Sequence, residues 1–159
     1  MKILYLGNKL SKHGINKTTV ETLGENLSKS GFEVVSYSSK KNSFLRILDM
    51  LFGMLKHRDS AYILIDTYST SAFWFAFLSS QLARLLQIKY IPILHGGNLP
   101  NRLISNPKLC SLFFNKAYVN VSPSEYLKFH FEKFGISNVI CIPNSINLSD
   151  YCFKERQSF

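Results

Sequence analysis

The sequence predicts an α/β protein built on a doubly wound parallel sheet of about six strands. Short apolar segments alternate with longer segments of helical periodicity along nearly the whole chain. The apolar segments contain few alternating polar residues, which is typical of parallel strands that are covered on both faces. Of the 159 residues, 46% are hydrophobic and 14% are aromatic, so the chain can form one domain with a sizeable core.

The predicted strands and helices follow one another in order along the chain. The strands are residues 2–6, 32–37, 61–65, 89–94, 117–121 and 139–142. The helices are residues 17–30, 43–58, 70–87, 108–115 and 123–134, with an irregular stretch from 95 to 106. Thr18 and Glu21 form a capping-box pair at the start of the first helix, and Gly31 ends it. Ser122 is the predicted N-cap of the last helix, with Pro123 at its first position.

The second predicted helix is unusually apolar. Its narrow polar face consists of Arg46, Asp49, Gly53 and Lys56. The remaining apolar face of this helix is wider than one core normally covers. Basic residues border this face: Lys40, Lys41, Lys56 and Arg58. Two interpretations stay open: a helix buried in an ordinary core, which is favoured, and a surface that contacts a membrane or a partner. Polar residues interrupt the third helix, so we expect a buried crossover helix there rather than a membrane span.

The composition is strongly basic, with 19 Lys and Arg against 10 Asp and Glu and a formal net charge of +9. Because the basic residues are scattered and no zinc-finger or RNA-recognition motif accompanies them, we expect phosphorylated ligands or anionic lipid rather than nucleic acid as partners. The four histidines lack the spacing of metal ligands. Three cysteines without a C-x-x-C motif, and a start unlike a signal peptide, predict a cytoplasmic protein with reduced thiols.

The candidate reacting centre is His95-Gly96-Gly97, at the end of the fourth predicted strand. Ligands of open parallel sheets bind beyond the carboxyl ends of the strands, above all where the strand order reverses. For six strands we expect the order 3-2-1-4-5-6, which brings the loops 7–16 and 95–102 together over the reversal. The alternative is a turn with a structural histidine. The functional interpretation is favoured because the two loops predicted to meet over the reversal are also the two whose residues suggest a role other than turning.

Two further residues at this edge have alternative roles. Asp66 ends the third strand, where it either binds a ligand hydroxyl or caps the following helix, and capping is favoured. Arg102 either grips a phosphate in the crevice or is solvated. A dinucleotide is not expected, because the first loop lacks G-x-G-x-x-G and the second strand ends without an acidic residue for a ribose. The chain also lacks a P-loop motif and a G-x-S-x-G motif.

Several segments together resemble the N-terminal domain of GT-B glycosyltransferases, specifically the large retaining family 4. They are residues 2–7, Gly14 with the helix and strand through residue 34, the strand end at His95-Gly96, residues 121–122, and residues 139–144. The resemblance covers nearly the whole chain. It implies a Rossmann-like domain and the retaining transfer of a hexosyl group from a nucleotide-sugar to a glycan or lipid-linked acceptor. It implies neither a metal nor another cofactor.

The resemblance also implies roles for individual residues. His95 matches the family's histidine that contacts the transferred sugar near the reaction centre, so it is the predicted catalytic residue. Gly14, with Ile15 beside it, matches the loop next to the donor phosphates and the acceptor. With the strand-end residues described above, the predicted substrate-binding set is Gly14, Ile15, Asp66, Gly96, Gly97 and Arg102.

The domain organisation expected from the resemblance is one half of a two-domain enzyme. Residues 1–143 correspond to the acceptor-side domain, and residues 144–159 to the start of a linker toward a donor-binding domain. Ile15 and Ser145 stand where the family often has glycine. We therefore expect half a site in the cytoplasm or at the inner face of the membrane, completed by a C-terminal partner chain. The alternative is a non-catalytic binding or membrane-recruiting subunit, or a truncated remnant.

Overall fold

The computed structural model describes residues 1–9, 18–40 and 42–144. The strands in these residues are β1 (Lys2–Leu6), β2 (Glu33–Tyr37), β3 (Tyr62–Thr67), β4 (Lys89–Leu94), β5 (Asn120–Ser122) and β6 (Val139–Cys141). The helices are α1 (Thr19–Lys29), α2 (Ser43–Lys56), α3 (Ala72–Leu85), α4 (Leu99–Ser105), α5 (Pro107–Phe114) and α6 (Glu125–Lys133). The α/β class and the six strands are confirmed, whereas most of the stretch expected to be irregular forms α4.

The sheet is parallel throughout, with the strand order β2-β1-β3-β4-β5-β6. The expected order 3-2-1-4-5-6 is therefore wrong. The connection from β2 through α2 crosses over β1, so β3 rather than β4 becomes the second neighbour of β1. The order reverses between β1 and β3, and β4 pairs with the far side of β3. The ends of β1 and β4, where the two loops expected to meet over the reversal begin, are thus separated by β3.

The helices divide unequally between the two faces of the sheet. The larger core includes residues from α2 through α6, among them Met54, Phe73, Leu103, Phe113 and Phe131. In the smaller core on the other face, the described helical residues all come from α1, and Val20 packs there with Ile3, Tyr5 and Leu64. Because crossovers are right-handed, the side of the sheet that a connecting helix covers depends on the direction in which the chain moves along the sheet. The chain moves one way from β1 to β2 and the opposite way from β2 to β6, so α1 lies on one face and the later helices lie on the other. Over β4 this second face is only partly covered, since Ile91 and Ile93 are half-buried.

Local signals place several helix ends correctly. The Thr18 backbone N–H donates to the Glu21 carboxylate at 3.1 Å, as the predicted capping box requires. Gly31 follows α1 with a φ of +89°, a conformation that favours glycine. The predicted N-cap Ser122 is wrong by two residues. Because β5 extends to Ser122, the cap is Ser124, whose hydroxyl accepts from the Leu127 N–H at 3.4 Å.

The predicted polar face of α2 is half wrong. Arg46 and Gly53 face the protein interior, together with Met50 and Met54. Arg46 is satisfied there because its guanidinium donates to the Lys40 carbonyl at 2.9 Å and to the side-chain oxygen of Asn8 at 3.1 Å. The buried side of α2 therefore includes a charged residue, and large apolar residues of the helix lie on the surface. Among the described helices, none combines the length and the apolar character that crossing a membrane requires.

Candidate functional site

Three adjacent strands bring one side chain each into a buried hydrogen-bonded cluster. Asp66 of β3 lies at the centre, and its Oδ1 accepts from the Tyr5 hydroxyl of β1 at 2.9 Å. His95, directly after β4, places Nε2 at 2.9 Å from the same oxygen. We call Tyr5, Asp66 and His95 the Asp66 cluster. All three residues are buried, at the carboxyl edge of the sheet where ligands of such folds bind.

The turn after β1 passes directly against the Asp66 carboxylate. A Cβ atom at Gly7 would overlap Asp66 Oδ2 and would lie 2.9 Å from the Val20 Cβ, so a side chain does not fit there. The Gly7 backbone is fixed against the end of β2, donating to the Tyr37 carbonyl at 2.7 Å and accepting from the Ser38 N–H at 2.9 Å. Among the described residues, no group donates a hydrogen bond to Oδ2. This buried oxygen is the free acceptor of the cluster.

His95 is held on two sides besides its bond to Asp66. Its backbone N–H donates to the Thr67 carbonyl at 2.8 Å, which ties the end of β4 to the end of β3. Its ring stacks on Tyr68, with 4.7 Å between the ring centroids and 20° between the planes. An ionised carboxylate only accepts hydrogen bonds, so Nε2 carries the proton toward Asp66. Nδ1 is then the ring nitrogen that is not bonded to Asp66.

The two tyrosines of this region remain protonated at neutral pH. Burial raises the pKa of Tyr5 well above its ordinary value, and the negative charge of Asp66 raises it further. Burial and the same charge raise the pKa of Tyr68 to about 12. Tyr5 therefore keeps its proton and donates a hydrogen bond to Asp66 at neutral pH.

The two glycines beyond His95 have room around them. Gly96 has a φ of +79°, and a Cβ atom built at Gly96 or at Gly97 would meet no atom of the described residues within 4 Å. Both glycines are exposed. On the other side of Asp66, a narrow crevice at the reversal of strand order is lined by Gly7, Asn8, Asp66 and Tyr68, among others. A ligand can thus approach the backbone after β4 while the buried cluster holds the imidazole.

The structure shows internal hydrogen-bond partners for Asp66 and Arg102. Asp66 does not cap α3, whose N-cap is Ser71, because its carboxylate is bonded to Tyr5 and His95 instead. The Arg102 guanidinium donates to the Ser69 carbonyl at 2.6 and 3.1 Å. The same group also donates to Asn106 Oδ1 at 3.0 Å, and its carbon lies 4.9 Å from the centre of the Phe73 ring. Arg102 therefore fastens the loop after β3 to α4, and its role in binding a phosphate stays a prediction.

The remaining sequence-based candidates divide into two groups. His95, Gly96 and Gly97 lie at one edge with Asp66, as their positions at strand ends predicted. Gly14 and Ile15 lie outside the described residues. Among the described residues, no group of three His, Cys, Asp or Glu side chains could hold a metal ion.

Tyr5 and Tyr68 were missed by sequence reasoning. Tyr68 follows β3 directly, and Tyr5 interrupts a run of aliphatic residues in β1. A hydroxyl in the middle of a buried strand requires a partner, and this was the signal that pointed to Tyr5.

No family model matches the sequence, and no curated protein matches it. One solved structure that is similar in fold is titled a glycosyltransferase from Rickettsia africae ESF-5. It is 16% identical in sequence, with a TM-score of 0.49, and the match covers 93% of this chain. The chain spans 44% of the length of that protein.

Proposed function

We propose that this chain is the acceptor-side half of a glycosyltransferase and that His95 acts at its reaction centre. One observation carries the proposal: a buried carboxylate holds an imidazole at the carboxyl edge of the sheet, next to exposed glycines. The sequence resemblance at His95-Gly96 and at residues 139–144 supplies the reaction class.

The proposed reaction is the retaining transfer of a hexosyl group from a nucleotide-sugar to a glycan or lipid-linked acceptor. The bond between the anomeric carbon and the diphosphate oxygen breaks, the acceptor oxygen bonds to that carbon, and the acceptor hydroxyl gives its proton to the departing diphosphate. His95 would contact a hydroxyl of the transferred sugar through Nδ1, since Nε2 is bonded to Asp66. The contribution of Asp66 would be to fix the tautomer and the orientation of the ring, as carboxylates do in other histidine sites.

The donor diphosphate needs positive charge or backbone donors, because negative charge develops on it as it leaves. In the described part of the chain, the guanidinium groups of Arg102 and Arg46 already serve the fold, Arg102 at the Ser69 carbonyl and Arg46 at the Lys40 carbonyl and Asn8. We therefore propose that a second domain or a partner chain holds the diphosphate opposite His95. In this proposal residues 1–143 form the acceptor-side domain, residues 144–159 lead toward the donor side, and no metal takes part.

The test uses the native-length protein, tagged and purified from its own host with whatever chain accompanies it. Consumption of a panel of nucleotide-sugars is measured for the wild type, His95→Ala and His130→Ala. His130 is the matched control, because it lies on α6 with its ring against Tyr126. We expect the accompanied wild type to consume at least one nucleotide-sugar, with a loss of at least about a hundredfold for His95→Ala and less than about twofold for His130→Ala.

Equal effects of the two substitutions would return His95 to a structural role. Efficient turnover by the chain alone would contradict the half-site proposal. A preparation that consumes no nucleotide-sugar would count against the whole assignment.

A further inference from the structure

The exposed apolar side chains of α2 form one continuous stripe. They are Phe44, Leu45, Leu48, Phe52 and Leu55, and each is between 47% and 67% exposed. At about 100° per residue, these five positions fall within an arc of about 100° on the helix. We call them the α2 stripe. A surface helix of a soluble domain normally has its polar residues on this side, so the stripe marks a contact surface.

The stripe is fixed by the packing of the opposite side of the helix. Met50 and Met54 are buried against the sheet, and Gly53 lies so close to the Tyr37 ring that a Cβ atom there would be 2.8 Å from it. Arg46 is bonded to Lys40 and Asn8. Rotating α2 to bury the stripe would break all of these contacts. The helix therefore presents an apolar surface because of its tertiary packing.

The neighbouring helix α3 extends the apolar surface. α2 and α3 pack against each other and contribute to the same core. On the outer side of α3, Trp74 and Leu78 are 44% and 42% exposed, and their spacing of four residues places them on one face. α3 contains no acidic residue. Tryptophan prefers the boundary between hydrocarbon and water, because its ring is apolar and its N–H is polar.

The charges around the stripe are predominantly positive. Lys40 before α2, Lys56 at its end and Arg58 after it are exposed. Asp49 is the acidic residue of α2 and is half-buried. Asp59, the next acidic residue along the chain, binds the Lys2 ammonium at 2.8 and 2.9 Å. An apolar stripe with cationic borders complements a bilayer that contains anionic lipid, whose headgroups attract lysine and arginine near the surface.

We propose that α2 binds an anionic lipid bilayer, lying in the plane of the interface with its stripe inserted among the acyl chains. The helix is 14 residues long and lies along the surface rather than crossing the membrane. Trp74 of α3 enters the same boundary. This inference stands independently of the proposed function, since it requires no sugar and no partner chain.

The first experiment is sedimentation of the wild-type chain with vesicles. One set contains equal parts of phosphatidylcholine and phosphatidylglycerol, and the other contains phosphatidylcholine alone. We expect binding to the mixed vesicles that weakens with added salt, and binding at least about tenfold weaker for Phe44→Ser/Leu48→Ser/Phe52→Ser. The matched control is Tyr126→Ser/Phe129→Ser on α6, where the two side chains are 56% and 61% exposed. The control should bind within about twofold of the wild type. Lys56→Glu should weaken binding to the mixed vesicles by at least about fivefold.

The second experiment uses Trp74, the single tryptophan of the chain. Brominated phosphatidylcholine in the mixed vesicles should quench its fluorescence, and the triple α2 variant should lose the quenching while keeping the wild-type far-ultraviolet circular dichroism. Equal binding by the wild type and the folded triple variant would overturn the proposal. Absence of wild-type binding to the mixed vesicles would overturn it too. Self-association of the wild type that the triple variant abolishes, without vesicle binding, would instead make the stripe a protein interface.

Discussion

Gly7, directly after β1, and Asp66 on the adjacent strand β3 lie so close together that a side chain at position 7 would occupy the space of the Asp66 carboxylate. Glycine is thus required at this position because the Asp66 side chain leaves no room for a Cβ atom, and not because of its backbone conformation. The carboxylate it accommodates is the centre of the Asp66 cluster. The first turn of the chain and the candidate reacting centre therefore depend on each other.

Gly7→Ala should destabilise the fold by about 1–3 kcal/mol, because the new methyl group overlaps the carboxylate and Val20. The free energy of unfolding in urea measures the effect. Gly24→Ala is the matched control, since a Cβ atom there would lie 3.8 Å from Val34 within α1. Alanine favours a helix over glycine by up to about 1 kcal/mol, so this control should be neutral or stabilising. A shift of the same sign and size in both variants would contradict the overlap.

Asp66→Ala should release the His95 ring from its fixed tautomer. Nitrogen-detected NMR of the imidazoles should show the proton of His95 on Nε2 in the wild type and a mixture of tautomers in the variant. His57 provides the internal control, because its Nε2 lies 3.3 Å from the Tyr37 hydroxyl rather than against the Asp66 carboxylate. An unchanged His95 spectrum in a folded variant would show that the carboxylate does not orient the ring.

Arg102→Ala should cost about 1–3 kcal/mol of unfolding free energy, because it leaves the Ser69 carbonyl without its charged donor and removes the contact with Phe73. Arg102→Lys should recover only part of this loss, since an ammonium cannot reproduce the planar fork. Arg84→Ala, at an exposed position of α3, is the control. A stable Arg102→Ala protein that binds phosphate more weakly would support the phosphate-binding interpretation of Arg102.

The fold should lose stability between about pH 10 and pH 12. Burial raises the pKa of Tyr90 to about 12, and its hydroxyl donates to the Phe113 carbonyl at 2.6 Å. A phenol whose pKa is raised on folding favours the folded state below its ordinary pKa of about 10, and that advantage disappears as the pH rises through the folded value. The free energy of unfolding should therefore fall less steeply over this interval in Tyr90→Phe. Identical slopes for the two proteins would contradict the assignment.

The features that sequence predicted well are those encoded by neighbouring residues. Apolar runs and helical periodicity located the strands and most helices, because burial on a given face repeats every two or every 3.6 residues. The Thr18–Glu21 pair and Gly31 located the ends of α1 for similar reasons. The position of His95 at the carboxyl edge of the sheet was predicted because this residue directly follows an apolar strand.

The features that sequence did not predict depend on distant contacts. The side of β1 on which β3 pairs is not encoded in either strand. Asp66 was expected to cap a helix because aspartate is common at N-cap positions. Its hydrogen-bond partners are instead Tyr5 of β1 and His95 after β4. Arg46 looked like a solvent-facing residue, and it is buried because Lys40 and Asn8 supply oxygens there. In each case an interaction made by the whole fold overrides the local preference.

The chain separations within the Asp66 cluster have a consequence for folding. The Tyr5–Asp66 bond joins residues 61 positions apart, and the Asp66–His95 bond joins residues 29 positions apart. Contacts of such separation form only after the entropy of closing the intervening chain has been lost, so no short fragment contains the cluster. The cluster exists only once β1, β3 and β4 have assembled. A ligand that recognises it therefore selects the completed central sheet over every partly folded form of the chain and stabilises that sheet by mass action.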